Sequence, residues 1–232
     1  MLQLTLVLLN RNLTGEQNEM SQDLSGTPRM RPQKADMVDK LVTFTELVSC
    51  AIQCQKCPRM AGRSRVLGQG NGNLNAKIMF IAEAPGRKGA DVSKVPLCGD
   101  QTGRNFDALL EHCGLRRDEV FITNAVLCNP RDEKDRNATP TQLEQEECSV
   151  HLRTILEIVQ PEIVVTLGRV ALNALKIIEM HSATLAQHTG QRIAWNGRWL
   201  IPLYHPGPRA RLHRPLLDQQ KDFTRLVNMA RE

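Results

Sequence analysis

The sequence predicts an α/β fold in which helices cover both faces of a central parallel, four-stranded sheet. Four short apolar runs have the length and composition of strands buried on both faces. They lie at residues 77–82, 120–127, 162–167 and 199–204. Segments with helical periodicity alternate with these runs. Such alternation is typical of a parallel sheet in a three-layer α/β/α architecture.

The predicted helices have recognisable ends. Gly114 can end one helix by taking a left-handed conformation. Thr139 is a suitable N-cap for another helix, with Pro140 at its first position and Gln142 three residues beyond the cap. Pro161 follows the end of that helix. Helices are predicted at residues 36–51, 106–113, 139–159, 169–178 and 216–230.

The length and composition predict one domain with an N-terminal tail. A chain of 232 residues can bury one core. Residues 1–35 are polar and aperiodic, which predicts a poorly ordered extension before a single domain at 36–232. Residues 1–9 are apolar but lack the basic flank and cleavage site of a signal peptide. No segment is long enough to span a membrane, so a cytoplasmic monomer is expected, used at the nucleoid if it acts on DNA.

Charge and cysteine content narrow the function classes. The 30 basic and 25 acidic residues give +5, which is compatible with nucleic-acid binding but does not demonstrate it. Aromatic residues make up only 3% of the chain, which argues against a surface that stacks many bases. Seven cysteines is an odd number, which argues against a secreted disulfide framework and favours metal ligation in a reducing compartment.

Four cysteines form a candidate metal site: Cys54, Cys57, Cys128 and Cys148. Zinc and a four-iron cluster both accept four thiolates, and the spacing does not choose between them. Cys50 is a possible competitor for the Cys54 position. The alternative, small buried thiols without a metal, suits Cys98 and Cys113.

Three polar side chains follow or end predicted strands: Glu83, Asn124 and His205. In parallel sheets, ligands bind beyond the carboxyl ends of the strands. A carboxylate there can activate water, a carboxamide can read the edge of a base, and an imidazole can stabilise negative charge on a leaving group. The structural alternatives are a solvated acid, an Asn bonded to backbone and a structural His.

The loops beside these side chains have useful chemistry. Small residues after Glu83 allow the backbone to approach a ligand closely. A rigid Pro-Gly-Pro turn follows His205, and the basic side chains after it could grip phosphates. A solvated charged loop is the alternative. The basic residues are Arg209, Arg211, His213 and Arg214.

Together these segments resemble the uracil-DNA glycosylase superfamily, in its iron–sulfur branch of families four and five. The resemblance covers residues 54 to the final helix and includes the cysteine quartet. It also rests on the segments GQGN (68–71), AEAPG (82–86), PLCGDQTG (96–103), ITNAVLC (122–128), TPT (139–141), VVTLG (164–168) and HP (205–206).

The resemblance implies a DNA glycosylase that acts on uracil, or other deaminated bases, flipped out of DNA, and that leaves an abasic site. It implies that Asn124 reads the uracil edge, His205 stabilises the departing base and Glu83 assists the water. It also implies that the quartet carries a structural [4Fe-4S] cluster. The implied substrate-binding residues are Ala82, Glu83, Ala84, Pro85, Gly86, Leu97, Asn124 and His205. The implied DNA-binding residues are Pro206, Gly207, Arg209 and Arg211.

Some positions depart from the family pattern. Leu97 stands where family five has an aromatic residue that stacks on the base, a change that could cost about 0.5–1.5 kcal/mol of base binding. Tyr204 is a candidate to compensate for this loss. Gly207 replaces the usual Ser after the His-Pro pair. Glu83 follows the family-four pattern, whereas the segment around Leu97 follows family five.

Three alternative functions compete with a DNA glycosylase. One is a nucleic-acid-binding protein that keeps the fold and cluster but has lost efficient chemistry, a hypothesis that Leu97 favours. Another is the branch that traps uracil sites covalently, which would need a histidine that residues 87–103 lack. The last is a structural zinc protein with unrelated chemistry.

Overall fold

The computed structural model describes residues 34–231 and confirms the predicted α/β sheet. Its strands are β1 (Ile78–Ala82), β2 (Phe121–Asn124), β3 (Ile163–Leu167), β4 (Ile193–Trp195) and β5 (Arg198–Leu203). They are ordered β2-β1-β3-β5-β4. The four predicted strands are parallel, and the parallel core is almost wholly buried. The sheet therefore places four carboxyl ends along one edge.

The fifth strand, β4, was not predicted. It has only three residues, is partly exposed, and pairs antiparallel with β5 at the edge of the sheet. A two-residue turn joins the strands, with φ of 48° at Asn196 and 66° at Gly197. An Asn-Gly pair between short strands is a strong hairpin signal. The sequence therefore carried the information, but the strand was too short to stand out as an apolar run.

The helices cover both faces of the sheet, as predicted. They are α1 (Lys34–Gln53), α2 (Ala90–Ser93), α3 (Gln101–His112), α4 (Gln142–Val159), α5 (Arg169–Ile178), α6 (Leu185–His188) and α7 (Leu216–Arg231). The bounds predicted for α5 agree with the structure. Helix α3 begins five residues earlier than predicted because the Asp100 side chain accepts a hydrogen bond from the Gly103 N–H at 3.0 Å and caps it. Gly114 follows α3 with φ of 74°, as expected.

The predicted N-cap of α4 is wrong by two residues. Thr141, not Thr139, caps the helix, and its hydroxyl accepts from the Glu144 N–H at 3.2 Å. The Glu144 carboxylate in turn accepts from the Thr141 N–H at 2.8 Å. This reciprocal capping box satisfies two donors at once. Because Thr139 does not cap the helix, its side chain can contribute to the site described below.

Two apolar layers hold the helices against the sheet. On one face, α1, α4 and α5 pack on side chains that include Met79, Ile81 and Val164. On the other face, α3 and α7 pack around Phe80, whose ring lies 5.2 Å from that of Phe106. Alternate residues of each strand thus belong to opposite layers.

The predicted N-terminal extension at 1–35 lies outside the described residues, except for its last two positions, which begin α1. Within residues 34–231, none of the helices combines the length and apolarity needed to cross a membrane.

Candidate active site and cysteine cavity

An open cleft of about 590 Å³ lies at the carboxyl edge of the sheet. It is lined by the loop after β1, the start of α3, the loop after β2, Arg169 at the start of α5, and the loop after β5. These segments follow the carboxyl ends of the parallel strands, where α/β sheets bind ligands.

The structure brings most of the predicted loop residues to this cleft. Glu83, Ala84, Pro85 and Gly86 line it from β1, and His205 and Arg209 line it from the loop after β5. Pro206 and Gly207 are buried behind the His205 ring. Arg211 is exposed on the short 3-10 helix Pro208–Leu212 and is not among the described residues that line the cleft.

Asn124 lies at the same edge of the sheet but is buried beneath the surface. It pairs in register with Ala82, and only 1% of its surface is exposed. Its Nδ2 is buried and has no hydrogen-bond partner among the described residues. An orphaned buried donor costs about 1–3 kcal/mol, so a ligand that accepts a hydrogen bond would relieve this cost. Neither Asn124 nor Ala82 is among the described lining residues.

Leu97 does not lie on the described cleft wall. Its side chain is 7% exposed and belongs to the apolar layer under α3 and α7. Its backbone has φ of 48°, a conformation uncommon for a non-glycine residue. The Arg117 guanidinium donates to the carbonyl oxygens of Pro96 and Leu97 and holds this turn. Of the described residues that line the cleft, none is Phe, Tyr or Trp.

The His205 ring is held in one neutral tautomer. Its Nδ1 accepts from the Gly207 N–H at 3.0 Å, which leaves the proton on Nε2. Burial lowers the pKa of His205, although the charge of Asp100 acts in the opposite direction. A Cβ at position 207 would lie 2.8 Å from Nδ1, so glycine is what allows the backbone to approach the ring. The ring thus offers the cleft a neutral N–H donor.

Two carboxylates lie in the cleft. Burial raises the pKa of Glu83, while a hydrogen bond with Thr139 and the charge of Arg169 lower it. Asp100 is the second carboxylate, positioned by its capping bond to α3. A Cβ at Gly86 would lie 2.7 Å from Asp100 Oδ2, so the β1 loop packs directly on this carboxylate. One cleft therefore combines two acids with the His205 donor.

Helix α7 anchors the far end of the loop after β5. The Arg214 guanidinium makes two hydrogen bonds, of 2.9 and 2.6 Å, to Asp222, which is 2% exposed. The Gln219 side chain donates to the Arg214 carbonyl at 2.8 Å. Arg214 therefore serves as an anchor, and the predicted phosphate-gripping patch is smaller than expected. Arg209 and His213 are its members that line the cleft.

The four predicted cysteine ligands line one cavity on the α1 and α4 side of the sheet: Cys54, Cys57, Cys128 and Cys148. Cys50, Cys98 and Cys113 are not among the described residues that line it. Burial raises the pKa of Cys128 to about 11 and that of Cys148 to about 12. Four thiols that line one cavity are a donor set for a metal centre, and a cationic centre would offset this cost of ionisation. Among residues 34–231, no group of three or more His, Cys, Asp or Glu side chains is spaced to hold a metal ion.

A short chain of bonds links the cysteine cavity to the cleft. Asn129 directly follows Cys128 and is 1% exposed. Its Nδ2 donates to the Pro85 carbonyl at 2.6 Å. The segment that supplies a thiol therefore also braces the loop that carries Glu83.

This arrangement can be compared with known proteins. Residues 69–231 match the family described as the Uracil DNA glycosylase superfamily. The chain belongs to this superfamily. The family identified from the motifs is confirmed.

Relatives of two types support this membership of the uracil-DNA glycosylase superfamily. A Type-4 uracil-DNA glycosylase of Thermotoga maritima is 34% identical over 163 residues, which are 69% of this chain and 80% of that protein. A Type-4 protein of Archaeoglobus fulgidus is 32% identical over 192 residues, covering 79% of this chain and 92% of that protein. A Type-5 uracil-DNA glycosylase of Pyrobaculum aerophilum is 31% identical over 194 residues, covering 71% and 83%. Similarity to both types agrees with the mixed motifs of this chain.

Six polar residues of this superfamily member line the cleft but were not predicted as site residues: Asp100, Thr102, Asn129, Asn137, Thr139 and Arg169. The sequence could have indicated Asp100, because Asp is a favoured N-cap residue. An N-cap at this position would have placed the start of α3 at the cleft. Arg169 opens a correctly predicted helix directly after β3, a position at the strand-end edge. Asn137 had no such signal.

Proposed function

We propose that this protein is a monofunctional DNA glycosylase of base excision repair that hydrolyses the N-glycosidic bond of uracil, flipped out of DNA, and leaves an abasic site. The observation that carries this proposal is the His205 N–H donor and two half-buried carboxylates in one cleft, with the unpartnered amide of Asn124 at the same sheet edge. The target nucleotide must leave the stack because its glycosidic bond cannot be reached inside a duplex.

Asn124 recognises the base. The edge of uracil presents a carbonyl acceptor beside an N–H donor, and a carboxamide offers the complementary donor and acceptor. Because Asn124 Nδ2 has no described partner, its bond to the base is gained without breaking an internal one. Its rigid position at the end of β2 favours one orientation of the base.

His205 stabilises the leaving group. When the bond between the sugar and the base breaks, both electrons go to the base, and negative charge spreads to its carbonyl oxygens. A neutral N–H donor aimed at that charge stabilises the transition state more than the ground state. Burial keeps the ring neutral by lowering its pKa, so His205 acts as a hydrogen-bond donor rather than as an acid.

The two carboxylates assist the attack of a water molecule on the sugar. An ionised Glu83 orients a water molecule toward the sugar carbon, which carries positive charge in the transition state, and accepts its proton as the new C–O bond forms. Asp100 adds negative charge at the same edge of the cleft, which favours the cationic sugar. The products are free uracil and an abasic sugar.

Glu83→Gln is expected to slow cleavage about 100-fold, because glutamine keeps the shape but cannot accept a proton. The wild-type rate should rise with pH as Glu83 ionises, with a midpoint above the ordinary glutamate pKa of 4.5, because burial raises the pKa. Glu83→Gln should lose this rising limb. Single-turnover cleavage of a labelled uracil oligonucleotide, followed by alkali, measures both effects. A variant that keeps the wild-type pH profile would show that another group, with Asp100→Asn as the next to test, accepts the proton.

We propose further that the cysteine quartet holds a [4Fe-4S] cluster with a structural role. Four thiols that line one cavity are a donor set for such a cluster, and four-thiolate zinc is the alternative. The cluster would join the segment before the short 3-10 helix Pro58–Met60 to the loop after β2 and to α4. Through Asn129 it would also support the Glu83 loop.

Cys128→Ala is expected to lose visible absorbance and to lower Tm by roughly 5–15 °C, because a missing ligand releases the group that ties these segments together. Cys98→Ala is the matched control, since Cys98 is not among the described residues of the cavity. Absorbance, metal analysis and thermal melting should separate the two variants. If the wild-type protein is colourless and contains zinc, the quartet binds zinc and not a cluster. If Cys128→Ala is as stable as the wild type, the quartet is not a metal site.

A second function is supported by the absence of Phe, Tyr and Trp among the described residues that line the cleft. Without base stacking, the protein could bind uracil sites in DNA but cleave them slowly. Tight binding of a uracil oligonucleotide without strand cleavage after alkali would establish this second function. The same assay with hypoxanthine, xanthine and thymine substrates would define the bases that are released.

A further inference from the structure

The cleft continues into a second groove, here called the side groove. It has a volume of about 370 Å³ and is lined by Arg87, Lys88, Gln101 and Arg136. Asp100, Thr102 and Asn137 line both the side groove and the cleft. A strand of DNA whose nucleotide enters the cleft must pass along such a neighbouring surface.

Asn137 stands at this junction with its amide held in one orientation. Its Oδ1 accepts from the Arg87 N–H at 2.9 Å and from Asn129 Nδ2 at 3.1 Å. Both lone pairs of the oxygen are therefore engaged. If the amide were flipped, its NH2 group would face the N–H donors of Arg87 and Asn129. Its Nδ2 makes no hydrogen bond to the described residues, and it lies 4.0 Å from the Cβ position of Gly86 on the cleft wall. The Asn137 N–H groups are thus directed donors at the junction.

The bracing behind Asn137 is rigid. Asn129 is buried and also donates to the Pro85 carbonyl at 2.6 Å. The Asn129 Oδ1 accepts from Arg131 Nε at 2.6 Å, and Arg131 makes a 2.7 Å ion pair with Asp91, whose side chain is 9% exposed. A donor fixed by a buried network loses little entropy when it binds a ligand.

The charges around the junction favour an anion in the side groove over one in the cleft. The side groove has three cationic side chains. Arg136 is paired with Asp132 and Arg87 with Asp135, whereas Lys88 is exposed without an ion pair among the described residues. Of the described lining residues, Asp100 is the one acid of the side groove, whereas the cleft has both Glu83 and Asp100 beside Arg169 and Arg209. A phosphodiester therefore fits best at the groove side of Asn137.

We propose that Asn137 Nδ2 donates to a phosphodiester oxygen of the strand that carries the flipped nucleotide, and that Lys88 provides charge for the same backbone in the side groove. This inference rests on the proposed action on DNA, but it concerns binding rather than cleavage. It adds a backbone contact to the one that the resemblance implies for Arg209.

An isosteric pair of substitutions separates this role from simple bracing. Asn137→Asp keeps the oxygen that accepts from Arg87 and Asn129 but replaces the N–H groups by an anionic oxygen. Asn137→Ala removes both. A phosphate contact predicts that Asn137→Asp binds at least as weakly as Asn137→Ala, with Kd raised about tenfold or more at low salt. A purely bracing role predicts that Asn137→Asp binds more tightly than Asn137→Ala.

The measurement is Kd by fluorescence anisotropy, with a uracil oligonucleotide and an otherwise identical undamaged one. A phosphate contact weakens both to a similar extent, because it carries no base information. Asn196→Asp is the charge-matched control, since it adds the same charge in the β4–β5 turn at the opposite edge of the sheet, and it should bind like wild type. Lys88→Gln should weaken binding and reduce the salt slope by about one.

The inference is overturned if Asn137→Asp binds more tightly than Asn137→Ala, if both bind like wild type, or if only the uracil oligonucleotide is affected. A wild-type protein that binds DNA but does not cleave it would contradict the glycosylase proposal alone. The two proposals can therefore fail separately.

Discussion

His205→Ala is expected to reduce the single-turnover rate of uracil release about 10³-fold, the loss typical of removing a donor to a developing negative charge. The structure gives the ring one role, because Nδ1 is occupied by the Gly207 N–H and Nε2–H remains for the ligand. Since burial lowers the pKa of His205, the loss should be nearly independent of pH above the ordinary histidine pKa of 6.5. A labelled uracil oligonucleotide assayed from about pH 6.5 to pH 9 measures this.

His112→Ala is a suitable control for this prediction. His112 ends α3 at the end of the helix remote from the cleft, and it is exposed. Its removal should leave both the rate and Tm unchanged. A His205→Ala variant within tenfold of wild type, or a loss confined to low pH, would be incompatible with a neutral donor to the departing base.

The sequence predicted which edge of the sheet carries the candidate site, because the order and direction of the strands determine that edge. Glu83, Asn124 and His205 follow or end three parallel strands, and the carboxyl ends of such strands must share one edge. The depth of each side chain could not be predicted in the same way. Asn124 pairs with Ala82 inside the sheet, whereas Glu83 and His205 reach the cleft from loops.

The missed residues depend on contacts between loops distant in sequence. Asn137 reaches the cleft because Asn129 ties its loop to Pro85, and the three positions share no local pattern. Leu97 was expected to face the base, but its positive φ depends on Arg117, which lies 20 residues further along. Its predicted effect on stacking stays a prediction. Local patterns do not encode such loop-to-loop bonds.

The capping error shows a different limit. Thr139 and Thr141 both precede the helix and flank Pro140, so residue preference alone does not separate them. Glu144 decides between them by bonding back to the Thr141 N–H, and Arg59 stabilises this carboxylate from a distant segment. Freed from capping, Thr139 can hydrogen-bond to Glu83 in the cleft. A helix boundary thus influences the site itself.

Asn124→Ala is expected to reduce kcat/KM about 10³-fold, roughly 4 kcal/mol, while Tm stays close to that of wild type. The activity is lost because the variant cannot match the donor and acceptor of the uracil edge. Stability is retained because the deleted Nδ2 has no partner in the described structure, so no internal bond of that atom is broken. Cleavage kinetics and thermal melting on the same preparations measure the two effects.

Thr123→Val is the matched control for this last prediction. Thr123 precedes Asn124 on β2, is equally buried, and also has a polar side-chain atom without a partner. Strand alternation points it toward the opposite layer, away from the face that Asn124 shares with Ala82. Thr123→Val should therefore cleave at the wild-type rate with an equal or higher Tm. If both variants lose activity together, β2 acts through packing. If neither does, the base is recognised elsewhere, because a buried amide that reads uracil cannot be replaced by a methyl group without loss.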